Sequence, residues 1–192
     1  MIHYLNNPCT EGYQELKDRI LSDKFPWYYK ESSTKISADM RVPDSYGHID
    51  QPFFGHAILY RPEHSRFTKH VSSETDLAIN VVDEIILNND VPFLNRWFYL
   101  RMCVNLTYPC VGCQLSMPHQ DHDFPHYNFL LYLTTNNKGK TFIENESVEP
   151  EEDKCMLFTG EHYLELPENL PRIVLIATLF SYEPKPSKYL IE

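Results

Sequence analysis

The chain lacks any hydrophobic segment long enough to cross a membrane. Its longest apolar run, Ile173 to Phe180, has the length of a β-strand, whereas a membrane-spanning helix needs about 20 apolar residues. No basic segment leads into an apolar run at the start of the sequence, so a secretory signal is not predicted. The five cysteines, an odd number, do not indicate a disulfide framework. We therefore expect a cytoplasmic protein with no membrane segment.

Glycine and basic residues are also scarce, and both shortages narrow the fold and the partners. Only 6 glycines stand beside 14 prolines and 14% aromatic residues, which favours short strands and fixed loops over long helical repeats. Acidic residues outnumber basic ones 27 to 17, and the net charge of -10 disfavours binding to the phosphates of nucleic acid. A length of 192 residues with 42% hydrophobic residues predicts a single domain over residues 1–192.

Two helices are predicted in the N-terminal half. Thr10 is the expected cap of a short first helix. Its buried stripe comprises Tyr13, Leu16, Ile20 and Leu21. A second helix is expected over residues 72–88, with Ser73 and Asp76 as a capping box. Its buried stripe comprises Leu77, Ala78, Val81, Val82, Ile85 and Ile86. Residues 1–95 are therefore interpreted as helical and loop support with substrate-side loops.

The rest of the chain has the pattern of β-structure. Residues 97–106 alternate between an apolar set at even numbers and a mixed, partly polar set at odd numbers. Further strands are expected at 127–133, 141–144, 155–158 and 172–180, whereas the acidic run 144–153 is interpreted as a solvated loop. Helices packed on one of two sheets predict a mainly β fold, the double-stranded β-helix or jelly roll. Residues 96–182 would form this core and carry the metal site.

The segment His119-Gln120-Asp121 carries the most informative chemistry, with His162 41 residues after Asp121 and Arg172 ten residues further on. In extended backbone, His119 and Asp121 leave the same face and can bind one ion, with His162 as a third ligand from a neighbouring strand. Two imidazoles and one carboxylate on one face of a metal are typical of non-haem Fe(II) oxygenases. Arg172 begins an apolar strand, where a guanidinium needs an anion, and a bound carboxylate is a natural partner.

The order of these residues resembles that of the 2-oxoglutarate- and Fe(II)-dependent oxygenases, in particular the prolyl-4-hydroxylase-like branch. The resemblance covers residues 97–181 and includes Tyr108-Pro109 before the His-x-Asp motif and Tyr132-Leu133 on the following strand. Residues 138–141 resemble the family's Gly-x-Thr strand entry, and residues 148–158 resemble its approach to the distal histidine. Residues 1–95 show no comparable match.

The resemblance implies a dioxygenase, an oxidoreductase with Fe(II) as its cofactor. The implied metal ligands are His119, Asp121 and His162, and no catalytic residue beyond them is predicted. 2-Oxoglutarate would be the co-substrate, converted to succinate and CO2 while dioxygen hydroxylates an unidentified substrate. The residues implied in binding 2-oxoglutarate are Arg172, Tyr108 and Tyr132. The branch suggests a peptidyl prolyl or other side chain as substrate, while a small metabolite remains open.

Local alternatives remain at the metal motif. His122 and Asp123 offer a competing pair of ligands next to the preferred one. Cys110-x-x-Cys113 has the spacing of a zinc or redox pair, although no second pair with matching spacing follows it. A turn with two free thiols is therefore the preferred interpretation of these cysteines.

Alternatives also remain at the residues expected to bind 2-oxoglutarate. Arg172 can instead form a buried ion pair with Glu161 or Glu165. Strict alternation places Tyr108 on the apolar face of its strand, so its role requires that this face line the barrel or that a bulge re-aim it. Two other functions therefore stay open: a cupin-like metal enzyme that does not use 2-oxoglutarate, and a non-catalytic jelly-roll binding module.

Overall fold

The structure, a computed structural model, describes residues 1–32, 48–60, 68–110 and 114–181. These residues contain two α-helices, α1 (Glu11–Leu21) and α2 (Thr75–Leu87). The strands are β1 (Ile2–Leu5), β2 (Tyr28–Lys30), β3 (His48–Ile49), β4 (Phe53–Tyr60), β5 (Lys69–His70), β6 (Trp97–Thr107), β7 (Leu115–Ser116), β8 (Tyr127–Tyr132), β9 (Thr141–Ile143), β10 (Glu146–Val148), β11 (Cys155–Phe158), β12 (His162–Leu164) and β13 (Arg172–Ser181).

The first helix begins as its cap residue predicts. The hydroxyl of Thr10 accepts a hydrogen bond from the N–H of Tyr13 and so satisfies one free donor of the first turn. Tyr13, Leu16 and Ile20 are buried, but Leu21 is 42% exposed and lies outside the stripe. The aliphatic stem of Lys17 occupies the buried face instead, because acidic groups across the contact bind its ammonium.

The second helix has the expected buried stripe but a different start. The Ser73–Asp76 capping box is wrong, because the Ser73 hydroxyl donates to Glu74 rather than capping the helix. The hydroxyl of Ser72 accepts from the N–H of Glu74, and Thr75 donates to the C=O of Ser72 at 2.8 Å. Within the described residues, neither helix is long and apolar enough to span a bilayer.

The strands form the jelly roll that the sequence predicts. Eight strands make one antiparallel sheet in the order β1-β11-β8-β13-β6-β4-β2, with β5 beside β4. A three-stranded sheet, β10-β9-β12, and the pair β3-β7 form the second layer. An isolated bridge between Leu115 of β7 and Glu165, just after β12, connects these two parts. The N-terminal half thus contributes strands as well as helices to the sheets.

Several short strands, among them β1, β10 and β12, have no counterpart in the sequence prediction. Residues 144–153 were expected to be a solvated loop, yet β10 lies within them and pairs with β9. Val148 is 2% exposed because this pairing turns its side chain into the second layer. The edge strand β1 and the strand β12 are equally short, and their pairing with distant strands is what defines them.

Strand β6 separates two cores. The side chains at its even positions, Leu100, Met102, Val104 and Leu106, are buried, and the last three belong to the core that also contains the buried faces of α1 and α2. From Arg101 onward the odd positions face the interior of the jelly roll, where a smaller core includes Leu130, Tyr132 and Phe158. The polar members of this odd face, Arg101, Asn105 and Thr107, line a cavity between the two layers.

An ion-pair cluster joins the first helix to the jelly roll. The ammonium of Lys17, which is 7% exposed, lies 2.6 Å from Asp153 Oδ1 and also contacts Glu152. The hydroxyl of Tyr13 donates to the same carboxylate of Asp153. Burial would raise the pKa of Asp153, but the hydrogen bonds from Lys17 and Tyr13 bring that pKa below its ordinary value.

We expect Lys17→Met to lower the free energy of unfolding by about 1 kcal/mol at neutral pH, or about 3 °C in melting temperature. The folded-state pKa of Asp153 is lowered, so its ionised carboxylate stabilises the native state above the unfolded pKa. This stability is lost as the pH falls through the folded pKa, so the two proteins should converge below about pH 4. Thermal melts from pH 3 to pH 7 measure the effect.

Lys140→Met is the matched control for this prediction. Lys140 pairs with Glu149 at 2.8 Å on the surface, where Glu149 is 58% exposed. Its loss should lower the melting temperature much less than the loss of Lys17, because a surface ion pair contributes little to stability. Equal losses in the two variants, or a Lys17→Met effect as large at pH 3 as at pH 7, would contradict the assignment.

Candidate metal centre

Backbone hydrogen bonds place the two candidate ligand histidines side by side. The N–H of His119 donates to the C=O of His162 at 3.0 Å, and the N–H of His162 donates back to His119 at 3.0 Å. Gly160, with φ of +100°, forms the turn before His162. Residues with a side chain rarely adopt this backbone conformation, so the turn favours glycine. The two imidazole rings end with their centroids 4.5 Å apart.

Asp121 completes a cluster with these histidines. One ligand atom from each of His119, Asp121 and His162 lies within 4.8 Å of the other two. Within this cluster, His162 Nε2 lies 3.7 Å from Asp121 Oδ2. His119 and Asp121 reach the same point because residues two apart in extended backbone share a face.

Hydrogen bonds at the far side of each group orient this cluster. The Nδ1 atoms of His119 and His162 lie 3.1 Å and 3.3 Å from the carbonyl oxygens of Met117 and Gly160, respectively. With Nδ1–H donating to these carbonyls, Nε2 is free to bind a metal. Asp121 Oδ1 accepts from Arg101 at 2.5 Å, whereas Oδ2 is buried with no hydrogen-bond partner among the described residues.

The electrostatics of the cluster keep its ligand atoms unprotonated. Burial would raise the pKa of Asp121, but the charge of Arg101 and the nearby imidazoles outweigh it and lower the pKa to about 2. Burial lowers the pKa of His162 to about 4, although Asp121 opposes this shift. Asp121 is therefore ionised and His162 neutral at neutral pH, which are the forms that bind metals.

These residues fit a divalent metal ion. A buried carboxylate oxygen without a hydrogen-bond partner is costly, and a cation bound there would remove that cost. Two imidazole nitrogens and one carboxylate oxygen form the facial donor set that suits Fe(II) and leaves the opposite positions open.

A cavity of about 230 Å³ extends from this cluster to Arg172. Arg172 is 3% exposed and donates to the C=O of Gly139 at 3.0 Å and to Thr141 Oγ1 at 2.8 Å. Its guanidinium also lies over the ring of Tyr132. Arg172 therefore contacts a carbonyl, a hydroxyl and an aromatic ring, and it forms no ion pair with Glu161 or Glu165 among the described residues.

Local geometry makes room for this buried cation. Gly139 has φ of +104°, and a Cβ there would lie 3.2 Å from Arg172 Cδ. Burial lowers the pKa of Arg172, but a guanidinium remains charged at neutral pH. The oxygen acceptors around Arg172 are neutral, so the cavity ends at a cation whose charge needs an anion.

The two tyrosines predicted to bind 2-oxoglutarate occupy different places. Tyr132 is fully buried beneath Arg172, and its hydroxyl bonds Thr141 Oγ1 at 2.6 Å, at the wall of the cavity. The structure does not bring Tyr108 to this site, which corrects its predicted role. Tyr108 is 57% exposed and its ring packs against Phe54, because its even position lies on the face of β6 that turns away from the cavity.

The competing histidine does not join the cluster. His122 Nε2 lies 2.9 Å from Thr178 Oγ1, and its ring stacks on Phe124. His56 binds the C=O of Pro26 and the hydroxyl of Ser72, each at 2.8 Å, in a structural role. Cys110 Sγ donates to Gln114 Oε1 at 3.1 Å, and Cys113, its partner in the C-x-x-C pattern, lies outside the described residues.

Several polar residues at the site were not singled out as site residues from the sequence. Arg101 binds the candidate ligand Asp121, and its odd position in β6 is the one signal that places it inside the barrel. Gln51 lines the cavity with a buried Oε1 that has no partner among the described residues. Asn128 is fully buried, and neither its Oδ1 nor its Nδ2 has a hydrogen-bond partner among the described residues. Lys30, Arg101 and Arg172 line the cavity with a single carboxylate, that of Asp121, among the described residues.

Comparison with known proteins gives a likeness in structure alone. The chain is similar to an oxidoreductase of the 2OG-Fe(II) oxygenase family from Burkholderia pseudomallei, with a TM-score of 0.61 and 10% identity, over 91% of this chain and 80% of that one. It is also similar to a prolyl hydroxylase from Trichoplax adhaerens in complex with a hypoxia inducible factor oxygen degradation domain peptide fragment. That likeness has a TM-score of 0.58 and 15% identity, over 94% and 83% of the two chains.

No protein-family model matches the chain, and no curated protein matches it in sequence. At 10% and 15% identity, the structural likeness shows the fold. The chain has the jelly-roll fold found in these oxygenases, and the resemblance drawn from its motifs is confirmed at that level.

Proposed function

We propose that the protein is an Fe(II)- and 2-oxoglutarate-dependent dioxygenase that hydroxylates its substrate. The observation that carries the proposal is the cluster of His119, Asp121 and His162, whose ligand atoms lie within 4.8 Å of one another at one end of a cavity. Arg172, which is buried and donates to Gly139 O and Thr141 Oγ1, lies in the same cavity.

The metal and the co-substrate would supply the redox chemistry. Bound together, Fe(II) and 2-oxoglutarate activate dioxygen, yield succinate and CO2, and place one oxygen atom on the substrate. The ligands for Fe(II) would be His119, Asp121 and His162. Their open side faces the cavity, so 2-oxoglutarate and dioxygen would bind there.

The protein would bind and orient the co-substrate. Arg172 would bind the distal carboxylate of 2-oxoglutarate through charge-assisted hydrogen bonds, and the hydroxyls of Thr141 and Tyr132 lie beside it. The cavity lining favours a dianion, because three cations face one carboxylate there. The apolar side chains of Leu130, Phe158 and Ile176 would keep water out of the space between the metal ligands and Arg172.

The substrate class is the finer part of the proposal. We propose a side chain of a peptide, with proline as the first residue to examine, because the Trichoplax prolyl hydroxylase is in complex with a peptide. Small metabolites form the second class to test. Succinate release from 2-oxoglutarate, measured against a panel of both classes, identifies the substrate.

Anaerobic spectroscopy tests the proposed function. The metal-free protein is mixed with Fe(II) and then with 2-oxoglutarate, and we expect a visible metal-to-ligand charge-transfer band that needs all three components. Fe(II) with protein alone and Fe(II) with 2-oxoglutarate alone are the controls. A sample that stays colourless and binds neither component defeats the proposal.

A further inference from the structure

We propose that Arg101 is a positioning residue, which holds the carboxylate of Asp121 so that only Oδ2 reaches the metal. The inference rests on the proposed function, since it concerns the same metal site. It adds a residue from outside the ligand motif, 20 positions before Asp121 in the sequence.

The two carboxylate oxygens of Asp121 have different surroundings. Asp121 Oδ1 accepts a 2.5 Å hydrogen bond from Arg101 Nη2, while Oδ2 has no partner among the described residues. Oδ2 is also the oxygen that lies 3.7 Å from His162 Nε2. With Oδ1 fixed by the guanidinium, the carboxylate cannot rotate to bind a metal through both oxygens without breaking a charge-assisted bond.

Arg101 itself is positioned by the large sheet. Its side chain leaves the inner face of β6, and its backbone lies opposite Thr178 on β13. The Nε atom of Arg101 is buried with no partner among the described residues, so the base of the guanidinium is enclosed by protein. The guanidinium thus projects from a strand inside the large sheet and is 37% exposed as a side chain, whereas Asp121, which accepts from it, is 5% exposed and lies outside the strands.

Thr178, which lies opposite Arg101 in the sheet, contacts the residue after Asp121. Thr178 Oγ1 lies 2.9 Å from His122 Nε2. Neighbouring side chains on β6 and β13 therefore hold neighbouring residues of the ligand segment. The Thr178 contact anchors the segment, whereas the Arg101 contact orients the ligand group itself.

The consequence of losing Arg101 has a definite sign. A nearby cation repels a divalent ion, so removing its charge alone would tighten metal binding. Removing the orientation of the carboxylate weakens it, and partners of metal ligands typically contribute 10- to 100-fold in affinity. We infer that orientation dominates, because the bond is short and the carboxylate has no other described partner on that oxygen.

The test compares Mn(II) affinity, by calorimetry without oxygen, in the wild type, Arg101→Met and Arg101→Lys. We expect Arg101→Met to weaken binding by about 10- to 100-fold and Arg101→Lys by less, since lysine retains charge and a donor without the fork. The visible spectrum of bound Co(II) should also change in Arg101→Met, because a carboxylate that binds through both oxygens alters the coordination. Thr178→Val, which removes only the His122 contact, should bind Mn(II) within about threefold of wild type.

The outcomes separate this inference from the proposed function. A wild type that binds no metal defeats both. A wild type that binds Mn(II), with equal or tighter binding in Arg101→Met, overturns only the role of Arg101. If Arg101→Met does not fold, wild-type affinity in Arg101→Lys overturns it. An equal loss in Thr178→Val would also overturn it, since that result assigns the effect to anchoring of the segment.

Discussion

Replacing Arg172 with methionine should abolish 2-oxoglutarate binding while Mn(II) binding stays close to wild type. The distal carboxylate would lose two charge-assisted hydrogen bonds inside a dry cavity, each contributing about 1.5–3 kcal/mol. We therefore expect a loss of at least about 100-fold in 2-oxoglutarate affinity. Titration of the Fe(II) protein with 2-oxoglutarate, followed through the charge-transfer band, measures it.

The fold should tolerate this substitution. Methionine has similar length, and it removes a buried cation whose hydrogen-bond acceptors, a carbonyl and a hydroxyl, are neutral. The substitution destabilises the fold only by leaving two acceptors, the carbonyl of Gly139 and the hydroxyl of Thr141, without the donor that Arg172 provides. Lys30→Met is the matched control, because Lys30 is a cation that lines the same cavity from the exposed strand β2.

The result discriminates between two metal enzymes. An oxygenase that uses 2-oxoglutarate requires a cation at the far end of the cavity from the metal ligands. A cupin-like enzyme that keeps the metal without this co-substrate does not. Retained 2-oxoglutarate affinity in Arg172→Met would therefore remove Arg172 from the co-substrate site, whereas a wild type that binds the metal but not 2-oxoglutarate would favour the cupin-like enzyme.

The sequence predicted best where a local rule decides the geometry. His119 and Asp121 lie two apart, and alternation in extended backbone brings them to one face without information from the rest of the chain. The cap at Thr10 is equally local. At α2 the local pattern failed, because Ser72, Thr75 and the C=O of Ile58 on the sheet provide the hydrogen bonds of its start.

The pairing of distant strands accounts for what the sequence could not specify. Alternation along β6 predicted two different faces, but which face lines the barrel depends on where the helices pack. That choice excludes Tyr108 from the cavity and places Arg101 within reach of Asp121. The strand β10 was missed for the same reason, since its acidic sequence becomes a strand only through pairing with β9.

His162→Ala should eliminate the thermal stabilisation that a divalent metal gives the wild type. An ion that binds the native state at 100 times its dissociation constant stabilises it by about 2.7 kcal/mol. For a chain of this size that corresponds to a rise of roughly 8 °C in melting temperature. Melts with and without Mn(II) or Ni(II) measure the rise, and we expect it to fall to near zero in His162→Ala.

His122→Ala is the matched control for His162→Ala, since it removes an imidazole three residues from His119 that bonds Thr178 rather than joining the cluster. It should lower the melting temperature slightly but keep the full rise with metal. Because His122 belongs to the competing ligand pair, a His122→Ala protein whose melting temperature no longer rises with metal would show that this pair, with Asp123, binds the metal. No rise in the wild type would favour a jelly-roll binding module without a metal, since any ion bound to the folded state must stabilise it.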